Sequence, residues 1–232
     1  MKPRLGLIVT VALLAGCGGG GKTSDIPSGG GGAPSSTAAG TTTHTTAAPA
    51  GCKSVKRPNP KPNGKLKKPT SKLDASKTWT ATVTTNCGTF AFRLDVKHAP
   101  KTSASIAYLA SKHFFDGTIF HRIVPNFVIQ GGDPTGSGSG GPGYSTVDKP
   151  PAGTKYTKGV VAMAKTGSEP SGTAGSQFFV VTGPDAGLPA DYAVAGNVTR
   201  GLDVVERIGR LGDQSERPTF TVEIESLRVT SA

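Results

Sequence analysis

The chain has 232 residues, 33 of them glycine and 18 proline, with 26 Lys+Arg against 15 Asp+Glu for a net charge of +11. Residues 1–74 carry 11 basic and 2 acidic residues, a net +9, whereas residues 75–232 carry 15 and 13, a net +2. A nucleic-acid-binding fold concentrates positive charge on its folded domain, so nucleic acid is excluded as a partner, and the remaining two thirds of the chain suffices for one domain with a sizeable core.

The N-terminus, MKPRLGLIVTVALLAGC, reads as an address. Lys2 and Arg4 precede an apolar run, Leu5 to Leu14, that is too short to stay in a bilayer as a spanning helix and fits a secretory signal. It ends in Leu14-Ala15-Gly16-Cys17, which resembles the bacterial lipobox. Residues 1–16 are therefore expected to be a lipoprotein signal peptide and Cys17 to carry the lipid, which places the protein in the cell envelope, anchored on the extracytoplasmic side of the membrane. Gly18 to Gly51 is a Gly/Ser/Thr/Ala/Pro tract that cannot bury enough apolar surface to fold, and it is expected to be a disordered tether. His44 lies in this tract and takes no role. Residues 53–72 carry eight basic residues and no acid. This run reads either as a solvated, proline-stiffened spacer, the preferred reading, or as an arm with weak contact to anionic envelope components. Residues 17–76 thus form lipidated cysteine plus linker, and 77–232 the domain. Outside the membrane Cys52 and Cys87 are able to pair, or to remain free thiols.

From residue 77 the periodicity changes. Trp79, Ala81 and Val83 alternate with polar residues, as do Phe90, Phe92 and Leu94 after Asn86-Cys87-Gly88, which predicts a β-hairpin. APKTSASIAYLASKHF follows with helical spacing. Short strands are predicted around Phe120–Val124, Phe127–Gly131, Gly159–Ala164, Ser176–Val181 and Tyr192–Val198. A helix over Leu202–Ile208 and a last strand over Phe220–Val229 complete an all-β barrel or sandwich with two helices.

The sequence has no G-x-S-x-G or HExxH motif, and its histidines (44, 98, 113, 121) lack metal-ligand spacing, so neither metal nor cofactor is expected. Gly136-Ser137-Gly138-Ser139-Gly140-Gly141 matches G-x-G-x-x-G, but Pro142-Gly143 follows where a dinucleotide site needs a helix to begin. His121 is taken as structural.

FFDGTIFHRIVPNFVIQGGDPTGSGSGGPGY (114–144) and GSQFFVVT (175–182), with flanking similarity from about Thr80 to Val229, resemble the cyclophilin-type peptidyl-prolyl cis–trans isomerases. The resemblance implies a closed eight-stranded antiparallel barrel capped by two helices, and an activity that needs no nucleophile. An X–Pro amide isomerises slowly because resonance gives its C–N bond partial double-bond character. A fixed donor aimed at the prolyl nitrogen, an apolar pocket for the ring and hydrogen bonds to the flanking backbone stabilise the twisted state. By resemblance, Arg122 is the donor, Gln130 orients it, and Phe127 and Phe179 line the proline pocket. Val128 forms a wall, Ala164 and the Lys165 backbone hold the peptide, Gln177 contacts it, and Leu188 and Tyr192 form the far side. The implied partners are Xaa-Pro segments of exported polypeptides, with the protein a monomer assisting their folding. The alternative function is a proline-peptide-binding module or chaperone with little turnover. Gly187 and Ala195 stand where many relatives have Trp and Phe, so the resemblance implies a smaller, more open pocket and weak cyclosporin affinity.

Overall fold

The computed structural model describes residues 47–232, so the signal peptide, Cys17 and most of the tether lie outside the described residues. β1 (Trp79–Thr85) and β2 (Gly88–Leu94) form the antiparallel hairpin that the alternation predicts, turning at Asn86-Cys87. Ala81, Val83, Phe90, Phe92 and Leu94 are buried from this hairpin. α1 (Pro100–Ser111) opens on a proline, whose missing N–H is one of the four that the first turn leaves unpaired anyway. Its N-cap, Ala99, has no side-chain acceptor; the buried Asp148 supplies one from a distant loop, its Oδ2 accepting the Thr102 N–H at 2.6 Å.

The remaining elements are β3 (Thr118–Ile119), β4 (Arg122–Val124), β5 (Val128–Gly131), β6 (Thr146–Val147), β7 (Val160–Met163), β8 (Thr173–Ala174), β9 (Phe178–Val181), β10 (Val194–Arg200), α2 (Leu202–Gly209) and β11 (Glu223–Ser231). β6 and β8 pair separately, and the other nine strands form one sheet in the order β3-β11-β1-β2-β10-β7-β9-β5-β4. The expected closed eight-stranded barrel is thus replaced by a curled half-barrel of nine strands with two helices. The cause lies in one segment. The predicted strand around Phe120–Val124 breaks at Phe120-His121, so that Thr118–Ile119 pairs with β11 while Arg122–Val124 pairs with β5. These two pieces become the sheet's two edges, and across the seam runs only an isolated bridge between Ile119 and Asp133.

Because successive residues of a strand face opposite sides, the sheet carries two apolar clusters. The larger lies inside the curl and contains Phe90, Phe115, Phe120 and Phe178, the last three meeting edge to face. The smaller, on the other face, contains Val128, Tyr156, Val160, Ala162, Phe179 and Val181. Phe178 and Phe179 therefore serve different clusters. Ala195 belongs to the larger cluster alone: it is fully buried there and does not line the pocket described below, contrary to the expectation from its position.

Residues 52–66, placed in the linker by composition, run along the domain without regular structure. Cys52 is disulfide-bonded to Cys87, Lys53 N–H donates to Asn86 O at 2.7 Å, and Lys61 N–H to Pro134 O at 2.8 Å. The Lys61 ammonium donates to Phe114 O at 2.8 Å and to Asp116 O. Burial lowers its pKa below the ordinary lysine value, against the pull of Asp116. Leu66 and Leu73 pack on the larger cluster. Composition missed this docking because the anchors are backbone groups, glycines and single apolar residues spaced among lysines.

Candidate active site

Strand register assembles the site. Arg122 on β4 lies opposite Gln130 on β5, Gln130 opposite Phe179 on β9, and Phe179 opposite Ala162 on β7. Residues opposite one another in an antiparallel ladder share a face, so the guanidinium, the amide and the phenyl ring all emerge on the side of the smaller cluster. Val128, two residues before Gln130, shares that face. The β4–β5 turn contains Asn126 at φ 57°, a left-handed conformation that asparagine tolerates better than most residues. The next residue, Phe127, is held by Thr182 N–H donating to its carbonyl at 2.9 Å.

Arg122, Phe127, Val128, Gln130, Ala164, Lys165, Phe179, Leu188 and Tyr192 together line one hollow of about 240 Å³. Its base is aromatic: Phe179 and Tyr192 meet edge to face with centroids 5.6 Å apart, and the fully buried Tyr156 packs behind both. Tyr156 also fixes the far wall, because its hydroxyl donates to Tyr192 O at 2.7 Å and accepts from Tyr192 N–H at 3.0 Å. Burial raises the pKa of that hydroxyl above the ordinary tyrosine value, which keeps it neutral and able to do both.

Arg122 sits at the mouth of the hollow. Its Nε donates to Glu216 Oε2 at 2.7 Å, its Nη1 to Gln130 Oε1 at 3.4 Å, and its guanidinium carbon lies 5.9 Å from the Phe127 ring centroid. Gln130 Nε2 in turn donates to Gln177 Oε1 at 3.0 Å, and Gln177 Nε2 donates to Gly138 O and Gly140 O at 2.9 and 3.0 Å. Gln177 is not in the hollow itself. It lines the adjoining groove of about 420 Å³, together with the Gly138–Ser145 loop, Thr166 and Glu169. His121 is neighbour to Arg122 but is turned into the protein. Burial, with help from Arg122 and Arg57, lowers its pKa below the usual histidine value despite Asp133.

Lys165 lies between hollow and groove. Its side chain is 4% exposed, and its ammonium meets Asp191 Oδ2 at 2.6 Å and lies 5.6 Å from the Tyr192 ring centroid. That ion pair lowers the Asp191 carboxyl below the usual range. The Ala164 N–H is occupied by Gln177 O at 2.9 Å. Glu216, Tyr156 and Asp191 were missed from sequence. Each acts on a residue more than twenty positions away, and none stands in a motif.

The geometry defines a class: a hollow with an aromatic base on a β half-barrel, with one fixed guanidinium at its lip and, among the described residues, no serine, threonine or cysteine in its lining. The family model for cyclophilin type peptidyl-prolyl cis-trans isomerases matches residues 80–229. The chain is 41% identical over 152 residues to peptidyl-prolyl cis-trans isomerase-like 1 of Neurospora crassa, covering 63% of this chain and 91% of the relative. It is likewise 41% identical over 145 residues to the protein of that name in Mus musculus, covering 60% and 86%. Among solved structures, the cyclophilin type isomerase of Cryptosporidium parvum superposes with a TM-score of 0.60 at 29% identity, over 67% of this chain and 99% of that one. A second structure of that protein, with a TM-score of 0.59, was determined in the presence of the dipeptide Ala-Pro. The chain belongs to the cyclophilin-type peptidyl-prolyl cis–trans isomerase family, and its activity is that isomerisation.

Proposed function

We propose that Arg122 is the group that lowers the rotational barrier, and that the protein applies this activity to Xaa-Pro segments of exported polypeptides from a lipid anchor at Cys17. The observation that carries the first part is the guanidinium pinned between Glu216 and Gln130 at the lip of an apolar hollow. The prolyl ring enters between Phe127, Val128, Phe179 and Leu188, losing water from its apolar face. Rotation about the C–N bond removes its resonance and leaves a lone pair on nitrogen. An N–H of Arg122 donates to that pair, an interaction absent from the planar ground state and therefore catalytic. Arginine suits the role because it stays charged and its fork is rigid. The Lys165 backbone and the Gln177 side of the groove receive the flanking chain.

The test is a protease-coupled isomerisation assay on a tetrapeptide containing Ala-Pro. Arg122→Ala is expected to lower kcat/KM by about 100-fold, the usual cost of removing one preorganised donor. Equal rates would overturn the assignment of Arg122 as the donor, and no rate above the uncatalysed one for either protein would turn the reading to a peptide-binding module. The anchoring half rests on the lipobox-like Leu14–Cys17 and the export-type leader. Cys17→Ala is expected to abolish incorporation of labelled fatty acid and release the protein from the membrane fraction; unchanged incorporation would overturn it.

A further inference from the structure

The docked arm touches the site's supporting loop at Pro134, where Lys61 N–H donates to its carbonyl, and more closely further along. Gly64 N–H donates to Gly141 O at 2.9 Å and Leu66 N–H to Pro142 O at 3.0 Å, while Asn63 Oδ1 accepts the Gly141 N–H at 3.0 Å. The fit leaves no room for a side chain. A Cβ on Gly64 would lie 2.7–2.8 Å from Pro142 backbone atoms, and one on Gly143 would lie 2.5 Å from Gly64 O. The loop so gripped is the one whose Gly138 and Gly140 carbonyls receive the Gln177 amide.

That amide sets a polarity. A glutamine side chain has one accepting and one donating end. With Gln177 Nε2 committed to two loop carbonyls, its Oε1 faces Gln130, so Gln130 must donate to it and turn its own Oε1 toward Arg122. If the carbonyls move away, nothing holds Gln177 in this sense and Gln130 keeps only the long 3.4 Å bond from Arg122 Nη1; a flipped Gln130 would present N–H groups to a guanidinium that only donates. Asp133 holds the loop through Thr135, Ser137 and Gly138 N–H groups and the Gly140 backbone. The stretch beyond, Gly141 to Gly143, has the arm against it.

We infer that the Lys61–Leu66 strap is a positioning element for the isomerase site, with Gly64 as its seat, acting on Arg122 through the Gly140–Gln177–Gln130 chain. This rests on Arg122 being the catalytic donor. The test uses the full chain and the Ala-Pro tetrapeptide, with kcat and KM separated. Gly64 has an ordinary backbone conformation, so Gly64→Ala reports the lost contact alone. It is expected to lower kcat about fivefold with KM unchanged, the scale of one displaced hydrogen bond. Asn63→Ala is expected to do the same more weakly, and Asn63→Asp, which keeps the acceptor, to restore the rate. A fall in kcat without recovery by Asn63→Asp, a rise in KM alone, or a wild-type kcat for Gly64→Ala would each overturn the strap's role. Arg122→Ala measured alongside separates the causes: if it alone is inactive, only the strap inference fails, and if it too is unaffected, the assignment of the donor fails.

Discussion

Arg122 has five N–H donors and spends only part of them on protein. Glu216 takes Nε and Gln130 takes one proton of Nη1, which leaves the outer edge of the fork for a substrate nitrogen. Arg122→Lys keeps the charge and loses the second anchor, since an ammonium cannot hold two partners in one plane. At least about a tenfold loss of kcat/KM is expected in the coupled assay. Glu216→Gln keeps an acceptor and removes the charge; because the pair is a third to half exposed, the loss is expected to be only about twofold to fivefold. A rise in rate would mean that Glu216 restrains the arginine rather than orienting it. At the rim, Gly187 is exposed, with φ 63° and nothing within 4 Å of a hypothetical Cβ. The wall that a large aromatic would supply there is absent, and weak inhibition by cyclosporin is expected in a competition assay; a tight complex would show that other contacts suffice.

Among elements, the β1–β2 hairpin and both helices were legible because their signals are local. Alternation over 79–94 and helical spacing after Pro100 need no knowledge of the rest of the chain. β3, β6 and β8 were not, because two-residue strands have no period to read, and they exist only where a partner strand passes. The site divides the same way. Arg122, Phe127, Val128 and Gln130 fall in one segment and were found from its pattern, whereas Glu216 reaches Arg122 from 94 residues away. The turn between α1 and β3 shows what such distant contacts hold. Asp116 pairs with Arg228 on β11 at 2.7 Å and accepts from Leu227 N–H. Burial pushes the carboxyl up, but hydrogen bonds from Arg228, His113 and Leu227 outweigh it and bring its pKa to about 2. A depressed carboxyl stabilises the fold above its unfolded value and loses that contribution as pH falls toward the folded one. As pH falls from about 4 to 2 the fold is therefore expected to lose about 1 kcal/mol or less through this group, the full shift being discounted because its partners Arg228 and His113 are 44% and 66% exposed. In Asp116→Asn that part of the pH slope should vanish from urea titrations; an unchanged slope would place the acid sensitivity elsewhere.

For the whole molecule, the question is how a chain with +9 in its front third attaches that charge to a nearly neutral domain. The described part of the answer is covalent. The Cys52–Cys87 disulfide joins residues 35 apart, closing a loop that contains the strap and all of β1 and ends just before β2. Cys87 is fully buried at the hairpin turn, so the bond ties the arm to the most regular part of the sheet. Closing a loop of that length removes entropy from the unfolded chain worth about 4 kcal/mol in the chain-entropy account. For a domain of this size that corresponds to about 10 °C in Tm. Calorimetry of the Cys52→Ser/Cys87→Ser double variant, or of the wild type in reductant, is expected to show a drop of that order in a single cooperative transition, because strap and half-barrel share one core. A separate low-temperature transition would mean that the strap melts on its own. An unchanged Tm would mean that the disulfide adds nothing to what the hydrogen bonds of Lys53, Lys61, Gly64 and Leu66 already hold.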